Sequence, residues 1–183
     1  MAAALEAMRE QLTVPIGIST GAWIVPDPAD RLRAIEGWRV FPDFASVNVH
    51  EAGAEQVAEA LVDRGVGVEA GIWTADAATL VADSALAERC IRMLLEPMEQ
   101  DLDAALTTVR GIENRLEGVA PRVPRLLHGV GTTVWPMIDH AAARSYDTRV
   151  GLEDTLTRPD GTTADDNVDL IRAAASRLRT SRS

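Results

Sequence analysis

The segment Asp147-Thr148-Arg149-Val150-Gly151-Leu152-Glu153-Asp154 sets an arginine four residues ahead of two adjacent carboxylates. Val150 and Leu152 alternate with small or polar residues, as a strand requires, and acids directly after a buried strand are costly unless something uses them. Such a pair can divide a reaction, one carboxylate holding a metal ion and the other acting as a base. The plainer alternative is that Asp154 caps the following segment and Glu153 pairs with Arg149. Arg149 has a planar fork that suits a carboxylate-bearing ligand.

Other residues able to do chemistry recur at the ends of predicted strands. Ser19-Thr20-Gly21 can offer two hydroxyls and a glycine amide to an anionic oxygen. His50 and His128 are candidate metal ligands or proton carriers, although a lone histidine often serves structure. Glu69 falls inside a strand, where an unpaired carboxylate is expensive, so it is either salt-bridged or in contact with substrate. Asn48, Glu51, Trp73 and Glu96 complete the polar set. Trp23 and Trp73 suit a pocket rim, Trp38 suits helix packing, Trp135 falls in a separate unit, and His140 is expected on a helix surface. Cys90, the single cysteine, sits in an apolar run and reads as a small core residue.

These residues need elements to position them. After an opening amphipathic helix, strands are predicted at 14–19, 44–49, 67–73, 92–96, 124–128 and 147–152. Helices are predicted between them, with Asp27 as an N-cap, Pro28 at the first helical position and Gly65 as a stop. The helix after the third strand is expected to span 75–87, Leu102, Leu106, Val109, Ile112 and Leu116 mark another, and a last one covers 164–178. Residues 180–183 are expected to fray from this single domain. About six strands, each followed by a helix, argue for a parallel α/β sheet. The regular spacing of strand ends and the absence of GxGxxG or P-loop motifs favour a TIM (β/α)8-type barrel over a doubly wound sheet. A complete barrel takes about 250 residues, so about six units make an incomplete one, and the first two strands are expected to be missing at the N-terminus.

Composition bounds the partners. The chain has 183 residues, 46% of them hydrophobic and 25% charged, enough for one soluble domain with a sizeable core. A formal net charge of -10 disfavours nucleic acid and anionic membrane surfaces. No apolar stretch approaches the roughly 20 residues of a membrane helix, and the acidic N-terminal helix lacks the cationic start of a signal peptide. A cytoplasmic location is expected.

Ile18-Ser19-Thr20-Gly21, Phe44-Ala45-Ser46-Val47-Asn48, Val68-Glu69-Ala70-Gly71-Ile72-Trp73 and, most specifically, Arg149-Val150-Gly151-Leu152-Glu153-Asp154 resemble the β-keto acid cleavage enzymes. Their best-known member is the 3-keto-5-aminohexanoate cleavage enzyme. The resemblance implies a (β/α)8 barrel with a divalent metal, usually Zn2+, that condenses a β-keto acid with acetyl-CoA to give acetoacetate and a new CoA thioester. By motif match, Glu153 would be the metal's carboxylate ligand and Asp154 the general base. Arg149 would orient that base or the substrate. Ser19 and the Gly21 amide, with Thr20 and Asn48 nearby, would hold the substrate's carboxylate, and Glu69 would select its distal group.

This sequence departs from the family pattern in one respect: the other two metal ligands come from an H-x-H motif, and the chain has none. His50 and His128 are the substitutes that could rebuild a site with Glu153. A different expectation is a non-catalytic barrel fragment that covers its sheet edges by forming a homo-oligomer.

Overall fold

Five runs of alternating apolar and small or polar residues form the strands of a computed structural model, which describes residues 1–181. They are β1 (Gly17–Ser19), β2 (Phe44–Asn48), β3 (Gly67–Ile72), β4 (Arg92–Leu95) and β5 (Arg125–Leu127). All neighbours are parallel, in the order β1-β2-β3-β4-β5. The helices are α1 (Ala2–Arg9), α2 (Pro28–Glu36), α3 (Ala54–Val62), α4 (Ala75–Ala82), α5 (Leu86–Arg89), α6 (Leu102–Arg115), α7 (Val134–Arg144) and α8 (Asn167–Ser181). Among the described residues none of them is long and apolar enough to cross a membrane.

Period-two alternation sorts the sheet into two faces. Ala45, Val47, Val68, Ala70, Ile72, Met93, Leu95 and Leu127 point to the helices and make two apolar clusters with α2 to α7. Val57, Leu61, Val81, Val109, Ile112 and Met137 meet them from the helical side. The opposite face carries Ser19, Ser46, Asn48, Glu69, Gly71, Arg92, Leu94 and Leu126. Register sets Ser19, Ser46, Glu69 and Arg92 side by side in one row. A third cluster joins α7 to α8 through Val134, Trp135, Ile138, Leu170 and Ala174.

Local signals behave as their chemistry requires. Asp27 accepts from the Asp30 amide at 2.9 Å with Pro28 at the first helical position. Gly65, at φ 73°, turns the chain after α3. The helix expected over 75–87 is broken instead: Thr74 caps its start, and Ser84 hydrogen-bonds back to the Val81 carbonyl at 3.0 Å, ending α4 before α5 begins. The last helix begins at Asn167 rather than Ala164, because the Asp166 carboxylate takes the Asp169 amide at 2.8 Å. It runs to Ser181, so the tail expected to fray at 180–183 falls partly on residues 182–183, outside the described residues.

The sixth strand is the main correction. Asp147 starts it, exchanging backbone hydrogen bonds with Arg125 and Leu127, and only the single bridge Leu126–Asp147 forms. The Thr148 hydroxyl then takes the Leu127 carbonyl at 2.8 Å, the acceptor that the next rung of a parallel ladder would use. Three residues on, Asp154 Oδ2 accepts from the Gly151 amide at 2.9 Å and closes a turn. The described sheet is therefore an open five-stranded parallel one with helices on one face.

Candidate functional site

Strand ends and the turn that replaces the sixth strand bring four charged residues together. The turn buries Asp154, whose side chain is only 4% exposed, and leaves Glu153 75% exposed. The two adjacent acids thus occupy different environments. Arg149 Nη2 lies 3.8 Å from Glu153 Oε1, 3.9 Å from Asp154 Oδ1 and 3.5 Å from Glu96 Oε1. A hollow of about 360 Å³ opens over Arg149 to Asp154 and Asn167, whose side chain accepts from the Leu152 amide at 2.8 Å.

Beneath this arginine lies His128, fully buried just past β5. Its Nδ1 is 3.5 Å from Asp154 Oδ1 and 3.2 Å from the Gly129 carbonyl. Its Nε2 comes within 3.1 Å of Glu96 Oε1, though out of line for a hydrogen bond, which leaves that nitrogen without an aligned partner. The other Glu96 oxygen accepts from the Trp73 indole at 2.9 Å. Burial tends to raise the Glu96 pKa, but the His128 contact and charge, Arg149 and the Trp73 hydrogen bond together hold it below the ordinary glutamate value. For Asp154 burial dominates: with Glu153 adding to it, the pKa is raised despite the opposing charges of His128 and Arg149. Gly129 allows this packing, since a Cβ there would stand 2.8 Å from the Thr133 carbonyl.

The other candidate residues form a second group. Ser19 is exposed at the end of β1, and its hydroxyl accepts from the Gly21 amide at 3.3 Å. Thr20 is buried and donates to the Ser46 carbonyl at 2.8 Å. Glu51 organises the region: it accepts from the Ala22 amide and from Asn48 Nδ2, each at 2.9 Å, and stands 3.5 Å from buried Arg31. Arg31 also donates to the Val25 and Ala52 carbonyls. Ser19 ends β1 and His128 follows β5, the two edge strands of the described sheet.

Glu69 is salt-bridged in this structure. It is 2% exposed and accepts from Ser46 and from Arg92, whose Nε lies 2.7 Å away. Phe44 covers the guanidinium at 5.4 Å. Among the tryptophans, Trp23 is exposed, Trp38 packs on the α2–α3 cluster, and Trp135 donates to the Thr157 carbonyl at 2.9 Å. His140 is half-buried rather than a plain surface residue and faces Glu113 at 3.5 Å. Cys90 is buried, as its apolar run predicts.

A zinc centre needs about three protein ligands. Glu153 is exposed and already faces a guanidinium, His50 packs its ring, tilted by 49°, against Trp73 at 4.7 Å, and His128 lies between Glu96 and Asp154. Among the described residues no group of three or more His, Cys, Asp or Glu is arranged to hold a metal ion. The residues present do not fit the metal.

Sequence reasoning placed Glu96 and Trp73 at strand ends without giving Glu96 a role, and it missed Arg31, which reads as an exposed residue of an amphipathic helix. The regular recurrence of polar residues at strand ends was the available signal for Glu96. A second hollow, about 440 Å³, lies between α3, α4 and α5 on the helical layer and reaches Val49 and Glu51 just past β2. The family model of the beta-keto acid cleavage enzymes matches residues 1–182. None of the curated proteins compared matches the chain. The chain belongs to the β-keto acid cleavage enzyme family.

Proposed function

We propose that this member of the β-keto acid cleavage enzyme family uses Asp154 and Arg149 to activate a β-keto acid for carbon–carbon cleavage against acetyl-CoA. The observation that carries the reading is a buried carboxylate beside a guanidinium at the mouth of a parallel sheet, where such folds place their chemistry. Arg149 is 37% exposed and can turn its fork to a substrate carboxylate entering the hollow. Asp154 then takes a proton from the carbon between the two carbonyls. The carbanion attacks the acetyl thioester and expels CoA as thiolate. The thiolate attacks the substrate's original keto carbon, the bond from that carbon to the central carbon breaks, and the central carbon takes back the proton held by Asp154, which leaves acetoacetate and a new acyl-CoA. No step here passes through a metal, because this chain's residues do not assemble one.

The test is acetoacetate release from a panel of β-keto acids with acetyl-CoA. The reading expects turnover that Asp154→Asn abolishes and that Arg149→Met weakens through KM. Product formation untouched by either substitution would overturn it.

A second reading is favoured by the open sheet and the unmade metal set. In it the chain is a non-catalytic barrel fragment whose edges, β1 and the Asp147 bridge beside β5, are covered by another copy. Sedimentation velocity decides it: this reading expects a dimer or larger assembly, and a monomer at micromolar concentration would sink it.

A further inference from the structure

We infer that Trp73, Glu96 and His128 form a positioning array that fixes the carboxylate of Asp154, an inference that rests on the reading of Asp154 as the base. The array crosses the C-terminal ends of β3, β4 and β5 in order. The Trp73 indole donates to Glu96 Oε2 at 2.9 Å, Glu96 Oε1 lies 3.1 Å from His128 Nε2, and His128 Nδ1 lies 3.5 Å from Asp154 Oδ1. The far oxygen of Asp154 is held by the Gly151 amide at 2.9 Å. One carboxylate oxygen therefore faces the imidazole and the other the turn, so rotation about the Cβ–Cγ bond breaks a contact at both ends.

The arrangement is costly for structure alone. Two carboxylates and an imidazole share a site in which His128 is 1% exposed, and three apolar side chains of like size would fill the same volume without desolvating charge. Nothing else described in the fold hangs on Glu96: its contacts are Trp73, His128 and Arg149. Arg149 also approaches Asp154 and Glu153, so Glu96 bears on both members of the candidate pair. His50 packs its ring on Trp73 at 4.7 Å and steadies the outer end. A carboxylate held this way meets a substrate carbon in one orientation, and misplacement by about 1 Å is enough to slow proton transfer on the order of a hundredfold.

The test uses the full chain and two readouts. The first is deuterium exchange at the carbon between the carbonyls of a β-keto acid in D2O, which needs the base but not acetyl-CoA. Glu96→Gln and His128→Leu are expected to slow exchange roughly ten- to a hundredfold at unchanged half-saturation. His128→Gln, which keeps a donor, should recover part of that loss, and the milder Trp73→Phe should slow exchange less. The second readout is isotope-edited NMR of the imidazole nitrogens. Asp154→Asn should move one nitrogen and Glu96→Gln the other nitrogen of the same ring, with His50 and His140 unmoved.

Exchange abolished by Asp154→Asn but unchanged in Glu96→Gln and Trp73→Phe overturns the array and leaves the cleavage reading standing. A ring whose two nitrogens respond to neither substitution overturns the array as well. Wild-type exchange no faster than buffer overturns the cleavage reading, and the role of the array with it.

Discussion

Arg92→Leu removes the one cation, among the described residues, that touches Glu69. Glu69 is 2% exposed, so the change leaves a buried carboxylate with the Ser46 hydroxyl as its one remaining partner. Breaking a buried ion pair from one side costs about 3–5 kcal/mol. The Arg92 side chain is 26% exposed, so water already screens part of the attraction, and about 2–4 kcal/mol is expected for this pair. At about 2–4 °C per kcal/mol for a chain of this size, the melting temperature should fall by roughly 4–16 °C. Glu69→Leu should cost less, since Arg92 can turn its head group to water. The double variant Glu69→Leu/Arg92→Leu should be more stable than Arg92→Leu alone, because the stranded charge is gone. Urea denaturation of the three variants completes a double-mutant cycle. Arg92→Leu within about 0.5 kcal/mol of wild type would refute the reasoning, as would a double variant no more stable than Arg92→Leu.

Three further outcomes follow from the geometry. Gly129→Ala places a Cβ 2.8 Å from the Thr133 carbonyl and from Met137 Cγ, so the loop holding His128 must shift, and calorimetry should show a loss of about 1–3 kcal/mol. The Glu96 carboxyl is held below its ordinary value of 4.5, so the fold binds its ionised form. That stabilisation is fully present above pH 4.5 and is lost as pH falls through the lower folded-state value, so the stability gap between wild type and Glu96→Gln should narrow on acidification. Burial pushes the Cys90 thiol up to about 11, so iodoacetamide at neutral pH should leave the native chain unmodified and label it once unfolded.

Most of the architecture was legible in the sequence because it depends on local chemistry. The alternation of Val47, Val68, Ala70 and Met93 with polar neighbours shows the helix-facing side of each strand, and Asp27, Pro28 and Gly65 punctuate α2 and α3 in ways that need no tertiary context. Arg149, Glu153 and Asp154 could be assigned to one place by proximity alone. What their spacing concealed was their direction. A strand would send Glu153 and Asp154 to opposite faces, whereas the turn closed by the Gly151 amide buries one and exposes the other.

The sixth strand was unreadable for a related reason, since nothing local shows that the Thr148 hydroxyl takes the carbonyl an amide would otherwise use. Long-range pairs were hidden altogether. Glu96 meets His128 because β4 and β5 are neighbours, and Glu69 meets Arg92 because β3 and β4 share register. The choice between a salt bridge and a substrate contact for Glu69 depends on that register, which no single strand contains.

The central claim is that Asp154 and Arg149 serve a condensation between a β-keto acid and acetyl-CoA. The most direct measurement follows isotope-labelled acetyl-CoA into product by NMR. The account predicts acetoacetate with the label confined to its acetyl half, a new unlabelled acyl-CoA, and neither product from Asp154→Asn. Acetoacetate carrying no label, or labelled acetoacetate formed equally well by Asp154→Asn, would contradict it.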